Sequence, residues 1–340
     1  MRPAFTDVVG NRRLCERLCA DLTQKKLSHA YIIEGKKGFG KHMLALRIAA
    51  ALSCEKVNDP TSPLPCGLCP SCKKILSGNS PDVITVSKGD KTTLGVEEIR
   101  RIRTDVLIPP NDTSSKIYMI EDAHLMTVQA QNAFLLTLEE PPAYVLFLLL
   151  CENAGALLET VRSRAAILRT EPIPPAEISS YLKKHVPEAG RMPSESLLEI
   201  VAAADGSIGR AIDLLDPKLY KPLLERRASA REFVRLCTRR CTAADALRYL
   251  STLPQKRDEL AEQCTEILYC LRDLLLCKQT EAAPLCFFAD TEEACALSYE
   301  FTTPELLSLC EELSKTVERL HQNANVRLTL TALGKCCGLL

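Results

Sequence analysis

A glycine-rich loop between an apolar strand and an alanine-rich helix constrains the fold of this 340-residue chain more than any other feature. The pattern predicts a strand over Ala30–Glu34, the loop GKKGFGKH over Gly35–His42, and a helix over Lys41–Leu52. The loop matches G-x-x-x-x-G-K, in which backbone N–H groups and the following helix N-terminus surround phosphate oxygens. The sequence therefore predicts a phosphate-loop fold built on a parallel sheet.

Five residues of the loop are candidate nucleotide ligands: Gly35, Gly38, Gly40, Lys41 and His42. The glycines let backbone N–H groups turn inward, and Lys41 is placed to reach the outer phosphates. His42 departs from the pattern, which has a hydroxyl on Mg²⁺ here, because imidazole is a poor ligand for so hard a cation. ATP or ADP is therefore a candidate ligand, and the alternative is a glycine-rich turn that binds neither.

Two acidic residues close a second apolar strand, which is predicted over Lys116–Asp122. In phosphate-loop folds such a strand ends in one acid that holds Mg²⁺ and one that polarises the attacking water. Glu121 and Asp122 are therefore candidate nucleotide-site residues. The alternative is that both are solvated acids at the end of a strand.

Strands alternate with helices through roughly the first 170 residues, which is typical of a three-layer domain with a parallel sheet. The proline-rich segment 171–177 marks a boundary, and helical periodicity without a convincing strand follows it. The predicted fold class is thus α/β followed by all-α. We expect a phosphate-loop domain over 1–172 with an inserted module at 54–78, a small helical domain over 173–216, and a larger helical domain over 217–340.

Four of the 17 cysteines fall close together, at Cys54, Cys66, Cys69 and Cys72. The surrounding segment PCGLCPSC is small and turn-forming, and four thiolates suffice to close a tetrahedral Zn²⁺ site without an open position. We therefore expect a structural Zn²⁺, and the alternatives are free thiols or a redox pair. The other cysteines are scattered and are interpreted as small core hydrophobes, since no export signal favours disulfides.

The composition excludes several classes of protein. Lys+Arg and Asp+Glu both number 43, which excludes a polybasic protein whose affinity comes from its overall electrostatic field. Aromatic residues make up 5% and tryptophan is absent, so base stacking is not the expected main function. The longest apolar run, Ala143–Cys151, is too short to cross a bilayer, and the N-terminus has no signal-peptide pattern. We expect a soluble chain with no membrane partner.

Several segments together resemble the clamp-loader subunits of bacterial DNA polymerase III, which are AAA+ proteins. The resemblance covers most of residues 1–215 and is carried by FTDVVGN (5–11), LSHAYIIEGKKGFGK (27–41), the four-cysteine insert, SPDVITV (80–86), TLGVEEIRRI (93–102), QAQNAFLLTLEEPP (129–142) and VRSRA (161–165). It implies that 173–216 is the family's lid. It also implies that 217–340 is its collar, which holds the subunits of a ring together.

The family contains gamma/tau motors, which hydrolyse ATP, and delta-prime stators, whose ATP site is degraded. This sequence departs from the motor pattern at His42, at Glu121-Asp122, where the usual Asp-Glu order is reversed, and at Gly209, where the motor has an arginine for the γ-phosphate. The departures favour a delta-prime type subunit whose own ATPase is absent or very weak. The alternatives are an active gamma/tau-type ATPase and an unrelated zinc-stapled phosphate-loop protein.

One functional element of the family looks intact, because Ser163-Arg164 matches its S-R-C motif with Ala165 in place of the cysteine. The resemblance implies that Arg164 is an arginine finger supplied in trans to a neighbour's ATP. The alternative is a helix-end arginine paired with a local carboxylate. The implied partners are gamma/tau and delta subunits in a hetero-oligomeric ring, the sliding clamp, and primed DNA through the assembled complex, in the bacterial cytoplasm.

Overall fold

The computed structural model describes residues 4–336 except 25, 60, 239–241, 281–284, 289 and 323. The chain divides into two compact units, which are Met1–Tyr181 with Gly206–Arg210, and Leu182–Asp205 with Ala211–Leu340. Among the described residues, no helix combines the length and the apolar character needed to cross a membrane. The finer division predicted at residues 172 and 216 stays a prediction.

The first unit is built on a five-stranded parallel sheet with the spatial order β2-β3-β4-β1-β5. Its strands are β1 (Ala30–Glu34), β2 (Val83–Val86), β3 (Lys116–Ile120), β4 (Val145–Cys151) and β5 (Ala166–Arg169). All seven residues of β4 are buried, because this strand lies at the centre and is covered on both faces. The strand register places the carboxyl ends of β1, β3 and β4 on one edge of the sheet.

Helices cover both faces of this sheet. They are α1 (Arg12–Thr23), α2 (Lys41–Leu52), α3 (Pro70–Leu76), α4 (Val96–Asp105), α5 (Val128–Glu139) and α6 (Glu159–Arg162). Successive strand residues face opposite sides, so Ile33 and Leu148 pack in the cluster that contains α1 and α2. Phe147 faces the other way and packs edge-on against Phe134 of α5, with ring centroids 5.1 Å apart. The predicted three-layer α/β arrangement is confirmed.

The described residues after β5 form helices and connecting segments. The helices are α7 (Pro175–His185), α8 (Ser194–Ala203), α9 (Ile208–Asp213), α10 (Pro217–Leu236), α11 (Ala243–Thr252), α12 (Arg257–Gln279), α13 (Thr291–Ser298), α14 (Thr303–His321) and α15 (Val326–Cys336). Leu271 of α12 and Leu313 of α14 are fully buried in the core of the second unit. The predicted change from α/β to all-α is therefore confirmed.

A buried carboxylate ties the edge of the sheet to the loop that precedes β3. Asp82 is 1% exposed and accepts three backbone N–H groups, from Asn111 at 2.6 Å, Asp112 at 2.8 Å and Thr113 at 2.7 Å. Burial opposes ionisation, but the three donors outweigh it and hold the pKa of Asp82 below its usual value. The charged carboxylate thus stabilises the loop.

Asp82→Asn should lower the free energy of unfolding of the sheet unit by about 1.5–3 kcal/mol near neutral pH, since charge-assisted hydrogen bonds are lost. The pKa of Asp82 is lower in the folded state than the unfolded-state value of about 3.9, so the carboxylate stabilises the fold fully only at pH values above the unfolded-state pKa. The difference in stability between Asp82→Asn and the natural chain should therefore vanish as the pH falls through the folded-state pKa. Urea unfolding at pH 7 and at a series of pH values below the unfolded-state pKa measures both effects. The control is Asp90→Asn at an exposed loop position, which should change stability by less than about 0.5 kcal/mol.

Candidate functional site

The glycine-rich loop connects β1 to α2 as the sequence predicts, and two of its glycines have left-handed backbone conformations. Gly38 has φ +80° and Gly40 has φ +74°, which other residues rarely adopt. A Cβ on Gly38 would also lie 2.2 Å from Ser207 Oγ. The loop therefore needs glycine at both positions for its turn, and at Gly38 also for the close approach of a second segment.

Lys41 begins α2 and folds its side chain back over the loop. Its Nζ donates to the carbonyl oxygens of Gly35 at 2.5 Å and Lys36 at 2.8 Å. Burial lowers the pKa of Lys41, and the nearby carboxylates of Glu152 and Asp122 oppose that shift. The ammonium is thus held at the mouth of the loop, within reach of a phosphate bound there.

The predicted acidic residues come to the same place, because β3 ends beside β4 and β4 ends beside β1. Glu121 and Asp122 line a cavity of about 680 Å³ together with Lys41 and His42. His42 Nδ1 lies 2.9 Å from Glu121 Oε1, and the two side chains are 50% and 36% exposed. Since a carboxylate can only accept, Nδ1 carries the proton of this hydrogen bond. The structure therefore unites all seven predicted nucleotide-site residues around one loop and its cavity.

Two of these residues, His42 and Glu121, are poorly suited to hold Mg²⁺. The cation takes oxygen ligands in a near-ideal octahedron at about 2.0–2.1 Å. At the first turn of α2 the chain offers the imidazole of His42 instead of a hydroxyl, and that ring engages the carboxylate of Glu121. One of the two acids at the end of β3 is thus already committed to a protein donor.

Gly209 lies directly against the phosphate loop. Its backbone N–H donates to the carbonyl oxygen of Gly38 at 3.3 Å, and a Cβ on Gly209 would lie 3.0 Å from Gly38 Cα. A side chain at position 209 would therefore require the loop to move. The sequence pattern indicates that the arginine is missing here but does not indicate this backbone contact, which joins two segments far apart in the chain.

Sequence reasoning missed Glu152, which immediately follows β4 and lines the cavity beside Lys41. The sequence does carry a signal for this residue. The carboxyl ends of neighbouring parallel strands meet at one edge of the sheet, so an acid directly after β4 is expected near the acids after β3. Tyr181 lines the cavity as well, and nothing in the sequence pattern around it indicates this.

Arg164 follows α6 by two residues and is not among the residues that line the cavity. Its Nη2 lies 2.7 Å from Glu139 Oε1, and its Nη1 donates to the carbonyl oxygen of Thr160 at 2.9 Å. The side chain is 34% exposed. A local carboxylate therefore holds the guanidinium within this chain, while part of the group stays accessible to solvent.

The four clustered cysteines form a second site on the inserted module. All four are buried, and their Sγ atoms lie within 4.8 Å of one another. The Cys66 and Cys72 sulfurs are 3.9 Å apart, close to the separation of about 3.8 Å expected for two thiolates 2.3 Å from a tetrahedral Zn²⁺. The backbone N–H of Cys69 donates to Cys66 Sγ, and that of Cys72 donates to Cys69 Sγ, both at 3.4 Å.

The electrostatics of this cluster suit a metal ligand set. Burial opposes ionisation of Cys66, but the backbone N–H groups of Cys69 and Leu68 outweigh it and lower the pKa of this thiol to about 6. Burial raises the pKa of Cys72 and of Cys54, so these two thiols keep their protons more strongly than usual. A bound cation would have to displace those protons. The cluster can therefore hold a metal ion, and its members fit that role.

Comparisons with known proteins converge on one family. A family model described as DNA polymerase III, delta subunit, matches residues 10–174, which include the phosphate loop, the cysteine cluster and the acid pair. The tau subunit of Bacillus subtilis DNA polymerase III is 33% identical over 287 residues, which are 81% of this chain and 50% of that protein. The tau subunit of Escherichia coli is 32% identical over 213 residues, 62% of this chain and 32% of that protein.

The chain thus spans half or less of the length of these two curated relatives. Among solved structures, a gamma subunit-related protein of DNA polymerase III from Thermotoga maritima aligns with a TM-score of 0.45 and 15% identity, covering 95% of this chain and 98% of that one.

The cysteine cluster predicts about one metal ion per purified chain. Cys69→Ser removes one of four thiolates, so bound metal should fall well below about half an equivalent, and proteolysis within 54–78 should increase. Elemental analysis and limited proteolysis measure the two effects. Cys19→Ser, at a half-buried thiol of α1 outside the cluster, should change neither. A folded wild-type chain that carries no metal under reducing conditions would contradict the prediction.

Proposed function

Because this chain belongs to the clamp-loader family of AAA+ proteins, we propose that it is a delta-prime type stator subunit. It joins gamma/tau and delta subunits in a ring in the bacterial cytoplasm and helps place the sliding clamp on primed DNA as part of the DNA polymerase III holoenzyme. The observation that carries this proposal is the contact between His42 and Glu121. The phosphate-loop pattern has a hydroxyl that holds Mg²⁺ at the position of His42, and here that residue bonds to a carboxylate of the protein instead.

Two features of the cavity support a subunit that does not turn over ATP. His42 and Glu121 bond to each other and do not fit Mg²⁺, which in phosphoryl transfer neutralises the charge that develops between the β- and γ-phosphates. Gly209 offers no side chain toward the phosphates, and a Cβ there would lie 3.0 Å from Gly38 Cα, so a side chain would require the loop to shift. Each missing charged contact costs about 10²-fold or more in rate, so together they disable hydrolysis.

We propose that Arg164 acts on the ATP of a neighbouring subunit. A guanidinium presents a planar, permanently charged fork that suits a transferring phosphate. Glu139 positions this fork through the 2.7 Å ion pair, and the exposed part of the group can exchange its carboxylate partner for a phosphate. The local pairing and the role in trans are therefore compatible, since Glu139 orients the group when no phosphate is present.

A gamma/tau-type ATPase is the second candidate function. It is favoured by Lys41, which holds the position expected of a phosphate-loop lysine, and by the names of the tau relatives. The His42–Glu121 contact argues against it, because a motor would have to break this hydrogen bond and then coordinate Mg²⁺ through an imidazole.

We propose that the ion in the cysteine cluster is Zn²⁺ and that its role is structural. Four thiolate ligands leave no open coordination position for a substrate or an activated water. The ion would supply local folding free energy to a module that has few apolar residues of its own between 54 and 72.

The isolated chain should show negligible Mg²⁺-dependent ATPase, far below the rate of about one per second or more typical of phosphoryl-transfer enzymes. The reason is the missing Mg²⁺ site and the absence of a side chain at position 209. A steady-state assay on the purified chain measures this, with Lys41→Ala as the background. Turnover near one per second that Lys41→Ala abolishes would establish the motor alternative.

In the assembled loader, Arg164→Ala should reduce clamp-dependent ATPase while Lys41→Ala has much less effect. Arginine fingers contribute about 10³–10⁵ in rate at the site they serve, and the whole ring should lose less because other sites keep their own fingers. The matched control is Arg103→Ala, at an exposed arginine of α4, which should leave the rate unchanged. The reverse order, with Lys41→Ala severe and Arg164→Ala silent, would overturn the delta-prime assignment.

A further inference from the structure

We propose that Cys277 and Cys295 in the helical unit form a reversible disulfide when a small-molecule disulfide is present as the oxidant. Cys277 lies near the end of α12 and Cys295 lies in α13, and both are free thiols in the structure. This modification site belongs neither to the phosphate loop nor to the cysteine cluster, so it goes beyond the proposed function and does not depend on it.

A buried carboxylate fixes the segment before α13 against α12. Asp273 of α12 is fully buried and accepts the backbone N–H groups of Phe287 at 2.7 Å and Phe288 at 3.2 Å. The side chain of Asp290 then caps the first turn of α13. The chain therefore returns along α12 directly before α13 begins, and the start of α13 is fixed in place.

This return of the chain brings the two thiols into contact. Asp273 and Cys277 are four residues apart and lie on the same face of α12, where the chain returns. The Cys277 thiol is hydrogen-bonded to Cys295. The same two helices also meet where the Lys278 ammonium lies 5.9 Å from the centre of the Tyr299 ring. A disulfide requires two cysteines on backbones that already approach each other, and this pair meets that requirement.

Accessibility separates this pair from the buried cysteines of the same unit. Cys270 and Cys286 are buried, and burial raises the pKa of both thiols, so they are unreactive. Cys277 and Cys295 are half-buried, so a small oxidant in solution can reach them. Two adjacent and accessible thiols suffice for a disulfide, whereas a structural metal site takes about four ligands.

The hydrogen bond between the two thiols sets the order of their reactions. Burial and the hydrogen bond to Cys295 raise the pKa of Cys277 to about 11. Cys277 therefore keeps its proton and donates it to the sulfur of Cys295. Since the thiolate is the nucleophile in disulfide exchange, Cys295 attacks first and Cys277 attacks second.

The reaction is a pair of thiol–disulfide exchanges. The thiolate of Cys295 attacks one sulfur of the small disulfide, whose S–S bond breaks. One small thiolate leaves, and the other half stays on Cys295 as a mixed disulfide. Cys277 then loses its proton and attacks the sulfur of Cys295, which releases the second small thiolate. The two cysteines are oxidised by two electrons, and the oxidant is reduced to two small thiols that carry the two protons.

Oxidation of the full-length chain by glutathione disulfide tests the proposal. The reduced, metal-loaded protein is incubated with excess glutathione disulfide without oxygen, and the remaining thiols are blocked with N-ethylmaleimide. Digestion with trypsin and a glutamate-specific protease then separates Cys277 from Cys295, and mass spectrometry maps the linked peptides. We expect a cross-link between these two residues in more than about half of the chains, and dithiothreitol should remove it.

Three variants sharpen the test. Cys277→Ser should carry glutathione on Cys295 at about ten times the wild-type level, because the second thiol that displaces it is gone. Cys295→Ser should abolish the cross-link. The matched control is Cys310→Ser, at a half-buried thiol of α14, which should form the cross-link as the wild-type chain does. If a variant does not fold, the wild-type peptide map decides alone.

A wild-type chain in which both thiols still react with N-ethylmaleimide after the incubation would overturn the proposal. A peptide map in which Cys277 or Cys295 is linked to another cysteine, such as Cys286 or Cys310, would overturn it as well. The map identifies every linked pair by its residues, so oxidation of the four-cysteine cluster cannot imitate the expected result. No other subunit is present in the assay, so its outcome is independent of assembly into a ring.

Discussion

Parallel pairing of β4 with β1 on one side and β3 on the other is the constraint on which the candidate site depends. It brings three strand ends to one edge of the sheet, and each end delivers a different group. The phosphate loop follows β1, the acid pair follows β3, and Glu152 follows β4. Since β4 is buried on both faces, its position cannot shift without breaking the apolar contacts of two core clusters.

On that scaffold, a few positions decide what the site offers chemically. The loop keeps the glycine turn and the lysine of the phosphate-loop pattern. The imidazole at the start of α2 and Glu121 at the end of β3 meet in a hydrogen bond, so one acid of the pair already has a donor within the protein. Arg164 lies away from this cavity and is held by its own carboxylate. Under the proposed function, the loop is inactive in this chain and Arg164 acts on a neighbouring subunit, and the separation of the two elements in the structure is compatible with both roles.

The cysteine module and the helical unit are stabilised in different ways. The module between β1 and β2 brings four thiols within 4.8 Å of one another, and a bound ion would cross-link its turns. The helical unit has an apolar core and also buries the ion pair between Arg227 and Glu266, at 3.2 Å. Arg227 donates further hydrogen bonds to the carbonyl oxygens of Cys286 and Phe287, so its charge is not left unpaired in the core.

The sequence by itself determined the features that depend on near neighbours in the chain. The loop pattern, the C-x-x-C-x-x-C spacing, the acid pair after β3 and the change to all-α were all predictable, since each is set by periodicity or spacing within a short segment. Only the tertiary structure decided that His42 meets Glu121, 79 residues away, that Gly209 lies against Gly38, and that Arg164 pairs with Glu139. These contacts depend on how the strands and helices pack and on the return of the chain to the phosphate loop between 206 and 210. No local sequence pattern specifies which distant residue each of these side chains contacts.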